Sequence, residues 1–578
     1  MTGYLLTATA LVEPTSPAAP AWDRISDEPR ELLADLLRQQ QDLSAVERFA
    51  QRHAITAGAN GRTYRDLLPA TPPKSGEQYA FEVDLDLCSG CKACVTACHN
   101  QNGLDDDEAF RDVGFLHGGA GDLTVIQHVT TACHHCLQPA CMAACPVNAY
   151  EKDPLTGIVH HLDDQCFGCR YCTLACPYDV PKYNREKGIV RKCDMCSQRL
   201  AVGEAPACAQ ACPHQAIRIR TVKPEDVLHD CETNFFLPGA PEPQHTLPTT
   251  NYKTARPLPR NLLPADYFAV RPDHAHPALV AMLVLTQLAV GTFTVDYALQ
   301  QWSEYDLADV SRGRVYQVTG ALVIAVLALA ASTLHLGRPQ YAYRAVLGLM
   351  HSWLSREIVC FGLFAILAGV YAIGLWQRTE NSLERFLGGC VCLAGLAGVC
   401  CSVMIYQSTR RPCWRGVPTA IRFLLSTVVL GLAGSILLLF AAPALATEAE
   451  THDALRDNAS AVAQALVITA AIKLGFEALQ FAHLGARNNT PLKRSAMLLM
   501  GPLRRWSIAR YSLGLAGIVS FVAFREFAAR PTADSANGEW LGIAAFLGFG
   551  CVLVGELCER HLFFTASVAP RMPGGVTG

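Results

Sequence analysis

Sixteen cysteines between residues 88 and 212 constrain this chain more than any other feature of its sequence. They form four groups of four: Cys88, Cys91, Cys94 and Cys98; Cys133, Cys136, Cys141 and Cys145; Cys166, Cys169, Cys172 and Cys176; and Cys193, Cys196, Cys208 and Cys212. The first and third groups have the spacing C-x-x-C-x-x-C-x-x-x-C, which turns three sulfur atoms toward one point. Proline follows Cys145, Cys176 and Cys212, whereas His99 follows Cys98. Such runs are typical of iron–sulfur cubane ligands, whose fourth thiolate comes from elsewhere in the chain.

Two other uses of cysteine are alternatives to this interpretation. A disulfide scaffold is typical of secreted proteins, but we expect no export signal, because no Lys or Arg precedes Arg24 and no twin-arginine pair is present. Four zinc sites with four thiolates each are the second alternative, since C-x-x-C pairs also bind zinc. The repeated runs that end in Cys-Pro favour cubane clusters over zinc.

The remainder of the chain divides into two unlike halves. The 578 residues are 51% hydrophobic and 17% charged, but the grouped cysteines lie before residue 213 and the long apolar runs after residue 276. A net charge of −3, without basic clusters interleaved with aromatic residues, gives no indication of a nucleic-acid partner. We therefore expect an α+β ferredoxin-like four-cluster domain followed by an all-α eight-helix transmembrane bundle. The expected parts are an N-terminal extension (1–78), a cluster domain (79–237), a Pro-rich linker (238–276) and a membrane anchor (277–568).

Local patterns predict secondary structure around the cysteine groups. Leucines and charges at helical spacing predict an amphipathic helix over residues 28–52, which either packs on its own domain or docks on a partner. Alternating runs at 79–84, 122–129 and 157–162 predict strands ahead of three of the groups. The order of strand, cysteine loop and short helix recurs, which indicates an internal repeat.

The third group carries a family resemblance. The run from Cys166 to Tyr178, together with His134-His135-Cys136 and Cys145-Pro146, resembles the four-cluster electron-transfer subunit of dimethyl sulfoxide reductase-type molybdoenzymes. The likeness covers about residues 79–235 and implies that the first group shares two clusters with the fourth, and the second with the third. The implied ligand sets are Cys88, Cys91, Cys94 with Cys212; Cys98 with Cys193, Cys196, Cys208; Cys133, Cys136, Cys141 with Cys176; and Cys145 with Cys166, Cys169, Cys172.

Cys169 decides which cluster types the resemblance implies. Relatives that hold a three-iron cluster have Trp where this chain has Cys169. The resemblance therefore implies four [4Fe–4S] clusters. Cys231 lies outside the pattern, and we expect it to be a small buried residue.

The second half contains eight apolar runs of the length that spans a bilayer, which needs about 20 residues in a helix. The predicted spans are 277–299, 315–335, 357–377, 385–406, 420–442, 458–482, 509–529 and 539–559. Lys and Arg are more frequent in the loops on the side of the cluster domain, which favours a cytoplasmic cluster domain at the bacterial inner membrane. Docking or quinone binding is the alternative explanation for these basic loops.

Polar residues at the ends of the spans suggest a substrate site. The segments His335-Leu336-Gly337-Arg338-Pro339 with Arg344, Ser352 to Glu357, and Gly555-Glu556-Leu557 resemble the quinol-oxidising anchor of the same reductase family. This likeness implies a menaquinol site, which we place at His335 and Glu357, with Arg338 and Arg344 beside them. A quinol loses two protons with its two electrons, and a histidine and a carboxylate can accept them. Alternatively, the two residues only cap a helix or reach toward the membrane surface.

Other polar residues lie within the spans. Lys473 and Glu477 are four residues apart and are predicted to form a structural ion pair, with a proton path as the alternative. Asp296 and Glu526 are weaker candidates of the same kind. The histidines of this half all lie at span ends or in loops, so we expect an anchor without haem.

Together, the two resemblances imply a fusion of two non-catalytic subunits. Electrons would pass from menaquinol through four [4Fe–4S] clusters to a separate molybdopterin-containing catalytic subunit of anaerobic respiration. One alternative is the reverse flow, from a formate, hydrogen or sulfur-compound dehydrogenase into quinone. The other is an ion transporter with a regulatory cluster domain.

Overall fold

The computed structural model describes residues 31–34, 37–38, 66–120, 123–234, 236–259, 261–302, 311–377, 381–441, 450–528, 535–569 and 571–574. The chain forms two compact units, residues 1–66 and 67–578. In the first unit, residues 31–34 and 37–38 are helical and exposed. The remainder of the amphipathic helix predicted over residues 28–52 lies outside the described residues.

Short strands form the framework of the cysteine-rich half. They are β1 (Gln78–Asp84), β2 (Asp112–Ala120), β3 (Leu123–Thr131), β4 (Tyr150–Lys152), β5 (Val159–His161), β6 (Lys182–Asn184), β7 (Ile189–Arg191), β8 (Ile217–Val222), β9 (Asn251–Lys253) and β10 (Leu263–Pro264). One sheet has the order β8-β1-β9 and another the order β10-β2-β3, while β4-β5 and β6-β7 are separate pairs. The three strand runs predicted from the sequence correspond to β1, β3 and β5.

The sheet centred on β1 joins the two ends of the cysteine-rich stretch. Strand β1 pairs antiparallel with β8, from Gln78 opposite Val222 to Val83 opposite Ile217. Because β1 precedes the first cysteine group and β8 follows the fourth, this pairing brings those two groups together. Ligand sets shared between the first and fourth groups, which the resemblance implies, would depend on this pairing.

Short helices follow the cysteine loops. They are α1 (Ala93–Asn102), α2 (Ala140–Ala144), α3 (Tyr171–Ala175), α4 (Ser197–Ala201), α5 (Ala207–Gln210) and α6 (Pro224–Glu232). In the first and third groups the loop has the same backbone. Gly90 and Gly168 have φ of 74° and 75°, and Lys92 and Arg170 both have φ of 60°. This repeated left-handed geometry agrees with the internal repeat inferred from the sequence.

Proline ends the helices that carry the last cysteine of a group. The residue before a proline is disfavoured in the α region, and Cys145 and Cys176 are accordingly extended, with ψ of 122° and 116°. Cys98 is followed by His99, so α1 continues past it to Asn102. The departure from Cys-Pro in the first group therefore changes the backbone beside one thiol.

The Pro-rich segment between the two halves is folded onto the cluster domain. Strand β9 pairs in parallel with β1, and β10 pairs with β2. The hydroxyl of Thr249 donates a hydrogen bond of 2.7 Å to the carbonyl of His134. The segment thus works as a strap across the domain.

The second half of the chain is a bundle of long helices. They are α7 (Pro277–Trp302), α8 (Ser311–Thr333), α9 (Trp353–Gln377), α10 (Asn381–Ser408), α11 (Val417–Ala441), α12 (Glu450–Ala478), α14 (Arg504–Ala528) and α15 (Ser535–Thr565), with the shorter α13 (Pro491–Met500) ahead of α14. In the described residues eight helices are long and apolar enough to cross a membrane. This confirms the predicted number of spans, although the third begins at Trp353 rather than residue 357.

Three glycines allow the anchor to touch the cluster domain. Gly337, in the loop after α8, lies against Gly168 and Gly188 of the cluster domain. A Cβ atom on Gly337 would lie 1.9 Å from the carbonyl oxygen of Gly188. The backbone N–H of Arg338 also donates to the carbonyl of Phe167 at 3.0 Å. The contact depends on the absence of side chains on both surfaces.

We predict that Gly337→Ala weakens this contact. The added methyl group forces the two backbones apart, and overpacking of this kind costs about 1–3 kcal/mol. Thermal unfolding of the protein in detergent should show a lower Tm. Gly362→Ala in α9 is the matched control, because nothing lies within 4 Å of its added Cβ. Equal Tm values for the two variants would contradict the prediction.

Candidate functional site

The sixteen grouped thiols form four sets of electrostatic neighbours. Each set combines cysteines from two of the sequence groups. Set A is Cys88, Cys91, Cys94 and Cys212; set B is Cys98, Cys193, Cys196 and Cys208; set C is Cys133, Cys136, Cys141 and Cys176; and set D is Cys145, Cys166, Cys169 and Cys172.

The donor chemistry of these sets fits iron–sulfur clusters. In the described residues no three His, Cys, Asp or Glu side chains converge closely enough to bind one metal ion. A cubane binds each thiolate through a different iron atom, so its ligands stand farther apart than the ligands of a single zinc ion. Burial, together with the neighbouring Cys208, raises the pKa of Cys98 to about 12. Its thiolate therefore needs a metal to form at neutral pH.

Hydrogen-bond donors already point at several of these sulfur atoms. The backbone N–H of Ala149 donates to Cys145 Sγ at 3.2 Å, and that of Ala216 donates to Cys212 Sγ at 3.3 Å. At Cys98 the donor four residues later is a side chain, Nδ2 of Asn102, at 3.5 Å. Such donors stabilise thiolate charge and are one means of setting a cluster potential.

The sets follow one another in the order A, B, C, D. Cys94 of set A interacts with Cys208 of set B, and Cys193 of set B interacts most strongly with Cys133 of set C. The buried side chain of Tyr150 has thiols of both set C and set D as neighbours. Neighbouring sets therefore lie beside one another in this order, and the sulfur atoms form a line through the domain.

Set D is the end of this line that meets the anchor. Tyr171, in the helix that holds Cys172, donates from Oη to the carbonyl of Ile405 in α10 at 3.1 Å. It also shares a 2.8 Å hydrogen bond with Ser408. Nε2 of His351 lies 3.0 Å from the carbonyl oxygen of Cys145. At the other end of the line, Cys91 of set A is exposed.

Glu357 lies next to the contact that Tyr171 makes with α10. It is 3% exposed on α9, and its carboxylate accepts a hydrogen bond from the hydroxyl of Ser402 in α10. Its electrostatic neighbours include Tyr171 and Tyr406. Tyr171 thus neighbours both the predicted carboxylate of Glu357 and the thiol of Cys169 in set D.

His335 lies beside Arg170, the residue that precedes Tyr171 in the cluster domain. Its neighbours are Arg170 and His276, and burial lowers the pKa of the imidazole to about 4. The ring is therefore neutral at pH 7. Among the described residues no hydrogen bond joins His335 to Glu357, so the two residues flank Arg170 and Tyr171 separately.

Arg338 and Arg344 bind the cluster domain through backbone carbonyls. The guanidinium of Arg338 donates to the carbonyls of Lys187 at 3.2 Å and Asp163 at 3.0 Å. That of Arg344 donates to the carbonyl of Asp164 at 2.9 Å. Both arginines therefore contribute to docking of the two halves.

An open cleft of about 840 Å³ lies between the cluster domain and the anchor. Its lining includes Tyr150, Tyr171, His351, Trp353 and Ser408. Tyr150 and Tyr171 neighbour set D, and Trp353 begins a membrane-spanning helix.

The predicted pair of Lys473 and Glu477 is present, at 3.2 Å, as part of a larger network. Arg510 of α14 bonds Glu477 at 2.8 Å and Glu556 of α15 at 3.0 Å. Lys473 also pairs with Glu556. All four side chains are buried, so each charge is compensated within the bundle.

A second charged network contains Asp296. Arg314 of α8 binds Asp296 at 3.1 Å and Glu384 at 2.8 Å. The hydroxyl of Tyr371 donates to Asp296 at 3.0 Å. Glu526, the other weak candidate, is exposed. Asp296 thus stabilises helix packing.

Two buried cations beside the sulfur atoms had no signal in the sequence. Arg111, at the start of the hairpin of β2 and β3, is 2% exposed, and Lys192, next to Cys193, is 5% exposed. Neither has a spacing pattern that separates it from a surface charge. A buried basic residue among thiols can be found only once the fold is known.

These features define a class of protein: a multi-pass membrane protein with an iron–sulfur electron-transfer domain packed on its helices. The comparisons with known families agree with both halves. Residues 124–222 match the model of a 4Fe-4S dicluster domain, and residues 274–489 match that of the DMSO reductase anchor subunit (DmsC).

Curated relatives match the iron–sulfur half. The B subunit of the anaerobic dimethyl sulfoxide reductase of Haemophilus influenzae is 37% identical over 150 residues, which are 24% of this protein and 73% of that subunit. Hydrogenase-2 operon protein HybA of Escherichia coli O157:H7 is 34% identical over 225 residues, 33% of this protein and 68% of HybA. The iron-sulfur subunit of the nitrate-inducible formate dehydrogenase of Escherichia coli K12 is 35% identical over 175 residues, which are 26% of this protein and 59% of that subunit.

The protein belongs to the family of dimethyl sulfoxide reductase iron–sulfur and anchor subunits, and it joins both kinds of subunit in one polypeptide.

We predict that Arg510→Met strongly destabilises the anchor. The change leaves Glu477 and Glu556 with Lys473 as their shared cation, and breaking a buried charge pair costs about 3–5 kcal/mol. Thermal unfolding in detergent should show a large loss of Tm. Arg525→Met on the exposed face of the same helix is the control and should have little effect. A small change at Arg510 would mean that the network contributes little to stability.

Proposed function

We propose that this protein is the electron-transfer and membrane-anchor component of a molybdopterin-containing oxidoreductase complex. In this proposal it oxidises menaquinol in the bacterial inner membrane and delivers electrons to a separate catalytic subunit, as in anaerobic respiration with dimethyl sulfoxide. The observation that carries the proposal is the continuous line of sulfur atoms. It begins at the anchor contact of set D and ends at the exposed Cys91 of set A.

In this proposal, sets A to D each hold one [4Fe–4S] cluster. When bound, these clusters supply one-electron carriers at close intervals. The protein's own residues hold them with sixteen thiolates, direct N–H donors at the sulfur atoms and keep water away by burial. Cys169 supplies a thiolate to set D, which supports a four-iron rather than a three-iron cluster there.

Menaquinol oxidation is assigned to the region where set D meets the anchor. Glu357 and His335 accept the two protons, from either side of Arg170 and Tyr171. Glu357 is buried and accepts a hydrogen bond from a neutral hydroxyl, that of Ser402, and no cation forms an ion pair with it among the described residues. His335 is neutral at pH 7. Arg338 and Arg344 keep the anchor loop against the cluster domain.

The partner is assigned to the end of the line at set A. One relative of the iron–sulfur half is the B subunit of anaerobic dimethyl sulfoxide reductase. By analogy, the catalytic subunit that holds molybdopterin would bind near Cys91. The basic loops of the anchor support a cytoplasmic cluster domain, and the lack of paired histidines within the spans supports an anchor without haem.

Reverse electron flow is the second candidate. The hydrogenase-2 and formate dehydrogenase relatives favour it, since their names refer to enzymes that oxidise hydrogen or formate. A transporter has less support. Its charged residues would need to line an open path, whereas the described charges of the bundle, such as Lys473 and Asp296, are closed in pairs.

We predict that Cys169→Ala abolishes the four-iron cluster of set D. Without this thiolate set D has three ligands, so its [4Fe–4S] signal should be replaced by that of a three-iron cluster, or iron content should fall by about one quarter if the whole cluster is lost. Iron and sulfide analysis with electron paramagnetic resonance of the reduced protein measures the loss. Cys231→Ala is the control, because this buried cysteine lies outside the four sets. Equal iron loss in both variants, or zinc in place of iron, would refute the ligand assignment.

We predict that Glu357→Gln slows quinol oxidation at least tenfold, because a buried proton acceptor is lost. The measurement is oxidation of a soluble menaquinol analogue by the complex with its native partner, compared with quinone reduction by the same complex. His335→Gln should have a similar effect. Glu526→Gln, at an exposed position, is the control. Faster quinone reduction than quinol oxidation would favour the second candidate.

A further inference from the structure

Arg111 lies between set A and set B. Its charge interacts most strongly with the thiols of Cys208, Cys94, Cys193 and Cys98, in that order. Nη1 donates to Thr130 Oγ1 at 3.1 Å, and that hydroxyl lies 3.5 Å from Cys94 Sγ. Arg111 is therefore connected to one set by a hydrogen bond and to both by charge.

The remaining donors of Arg111 have no partner among the described protein groups. Nε and Nη2 are buried without a hydrogen bond, while the guanidinium lies 4.7 Å from the centre of the Phe81 ring. Leaving such donors unpaired is costly unless an acceptor occupies the space beside them. The sulfur atoms of bound clusters would be that acceptor.

Lys192 occupies the equivalent place between set B and set C. Its Nζ lies 3.7 Å from Cys133 Sγ of set C and donates to the carbonyl of Cys193 of set B at 2.7 Å. Its charge interacts most with the thiols of Cys133, Cys141 and Cys193. The second gap in the line thus also contains a buried cation.

The third gap, between set C and set D, contains no fully buried cation among the described residues; Lys152, which donates to the carbonyl of Cys136 in set C at 3.1 Å, is only partly buried. Tyr150 lies there, with a neutral hydroxyl. His161 lies beside Cys166 of set D and is paired with Asp163 at 2.8 Å, so this carboxylate offsets the charge of the protonated ring. Arg170 follows Cys169, but its guanidinium stacks on Tyr183 at 3.7 Å and is not among the leading interactions of Cys169 or Cys172.

Two carboxylates reduce these charges only in part. Asp194 lies beside Cys196 of set B and near Lys192, and it accepts a hydrogen bond from the backbone N–H of Cys196. Asp179 lies beside Cys176 of set C and pairs with Lys182 at 2.7 Å. Set A has Arg111 and no carboxylate among its leading interactions.

We propose that Arg111 and Lys192 bias the line of clusters electrostatically: they give sets A, B and C higher reduction potentials than these sets would have without the two cations, so that set D has the lowest potential of the four. A nearby positive charge stabilises the reduced, more negative form of a cluster. Electrons that enter at set D therefore move toward set A. The direction of electron flow, from set D to set A, rests on the proposed function. The difference in reduction potential between the sets does not depend on quinol.

The experiment is a redox titration of the purified full-length protein, followed by electron paramagnetic resonance, with Arg111→Gln and Lys192→Gln. The set D signal is identified as the one lost in Cys169→Ala. Arg111→Gln should lower the reduction potentials of two centres other than set D. At a fixed solution potential, the ratio of reduced to oxidised cluster should fall at least tenfold for each, which corresponds to 59 mV for one electron. Lys192→Gln should also lower the reduction potentials of two centres, and one of these should be a centre whose potential Arg111→Gln lowers too.

Conservative variants separate charge from structure. Arg111→Lys and Lys192→Arg keep the charge and should restore the potentials, whereas a merely structural role would not follow charge. Arg220→Gln on β8 and Lys253→Gln on β9 are the matched controls, because both side chains are partly exposed and pair with Glu82. If a glutamine variant fails to assemble its clusters, the comparison of the conservative variant with the unmodified protein still tests the charge, because a changed potential in the conservative variant would contradict the proposal.

Three results would overturn the bias: unchanged potentials in both glutamine variants, shifts confined to set D, or equal shifts in the controls. The titration involves no quinol and no partner subunit. Lost quinol oxidation with the expected shifts would therefore contradict the proposed function alone. Normal quinol oxidation without the shifts would contradict the bias alone.

Discussion

The convergence of thiolates from distant parts of the chain is the constraint on which the cluster domain depends. Each set takes thiols from two groups far apart in sequence, so no set can form before the segments that carry them have met. The pairing of β1 with β8 brings the first and fourth groups together. In return, bound clusters would cross-link a domain whose strands are mostly three to nine residues long, too short to be stable by themselves.

The contact between the two halves has the opposite character, since it uses backbone rather than ligands. Gly337 lies against Gly188 with no side chain between them, and Arg338 and Arg344 donate to backbone carbonyls. A contact made through backbone atoms tolerates changes in the surrounding side chains while it fixes the distance between set D and Glu357. In a single polypeptide, the strap of residues 238–276 also keeps the two halves at a high effective concentration.

The cysteine spacing and the apolar runs predicted the two-part architecture and the eight spans, because both depend on local patterns. The composition of the four sets required the family resemblance, since spacing does not say which distant thiol completes a set. Arg111 and Lys192 were not predictable, because their importance comes from burial in the folded domain. The Lys473 and Glu477 pair was found by its helical spacing, but Arg510 and Glu556 join it from other helices, which no sequence period connects.

His99, where the other three groups have proline, has a consequence for how this domain can change over generations. At Cys145 and Cys212 the sulfur receives its hydrogen bond from the backbone, which no substitution can remove without refolding the loop. At Cys98 the donor is the side-chain amide of Asn102. A single codon change at residue 102 can thus alter the surroundings of one thiolate in set B and leave the main chain intact. That position is a site where selection can adjust one redox centre independently of the other three.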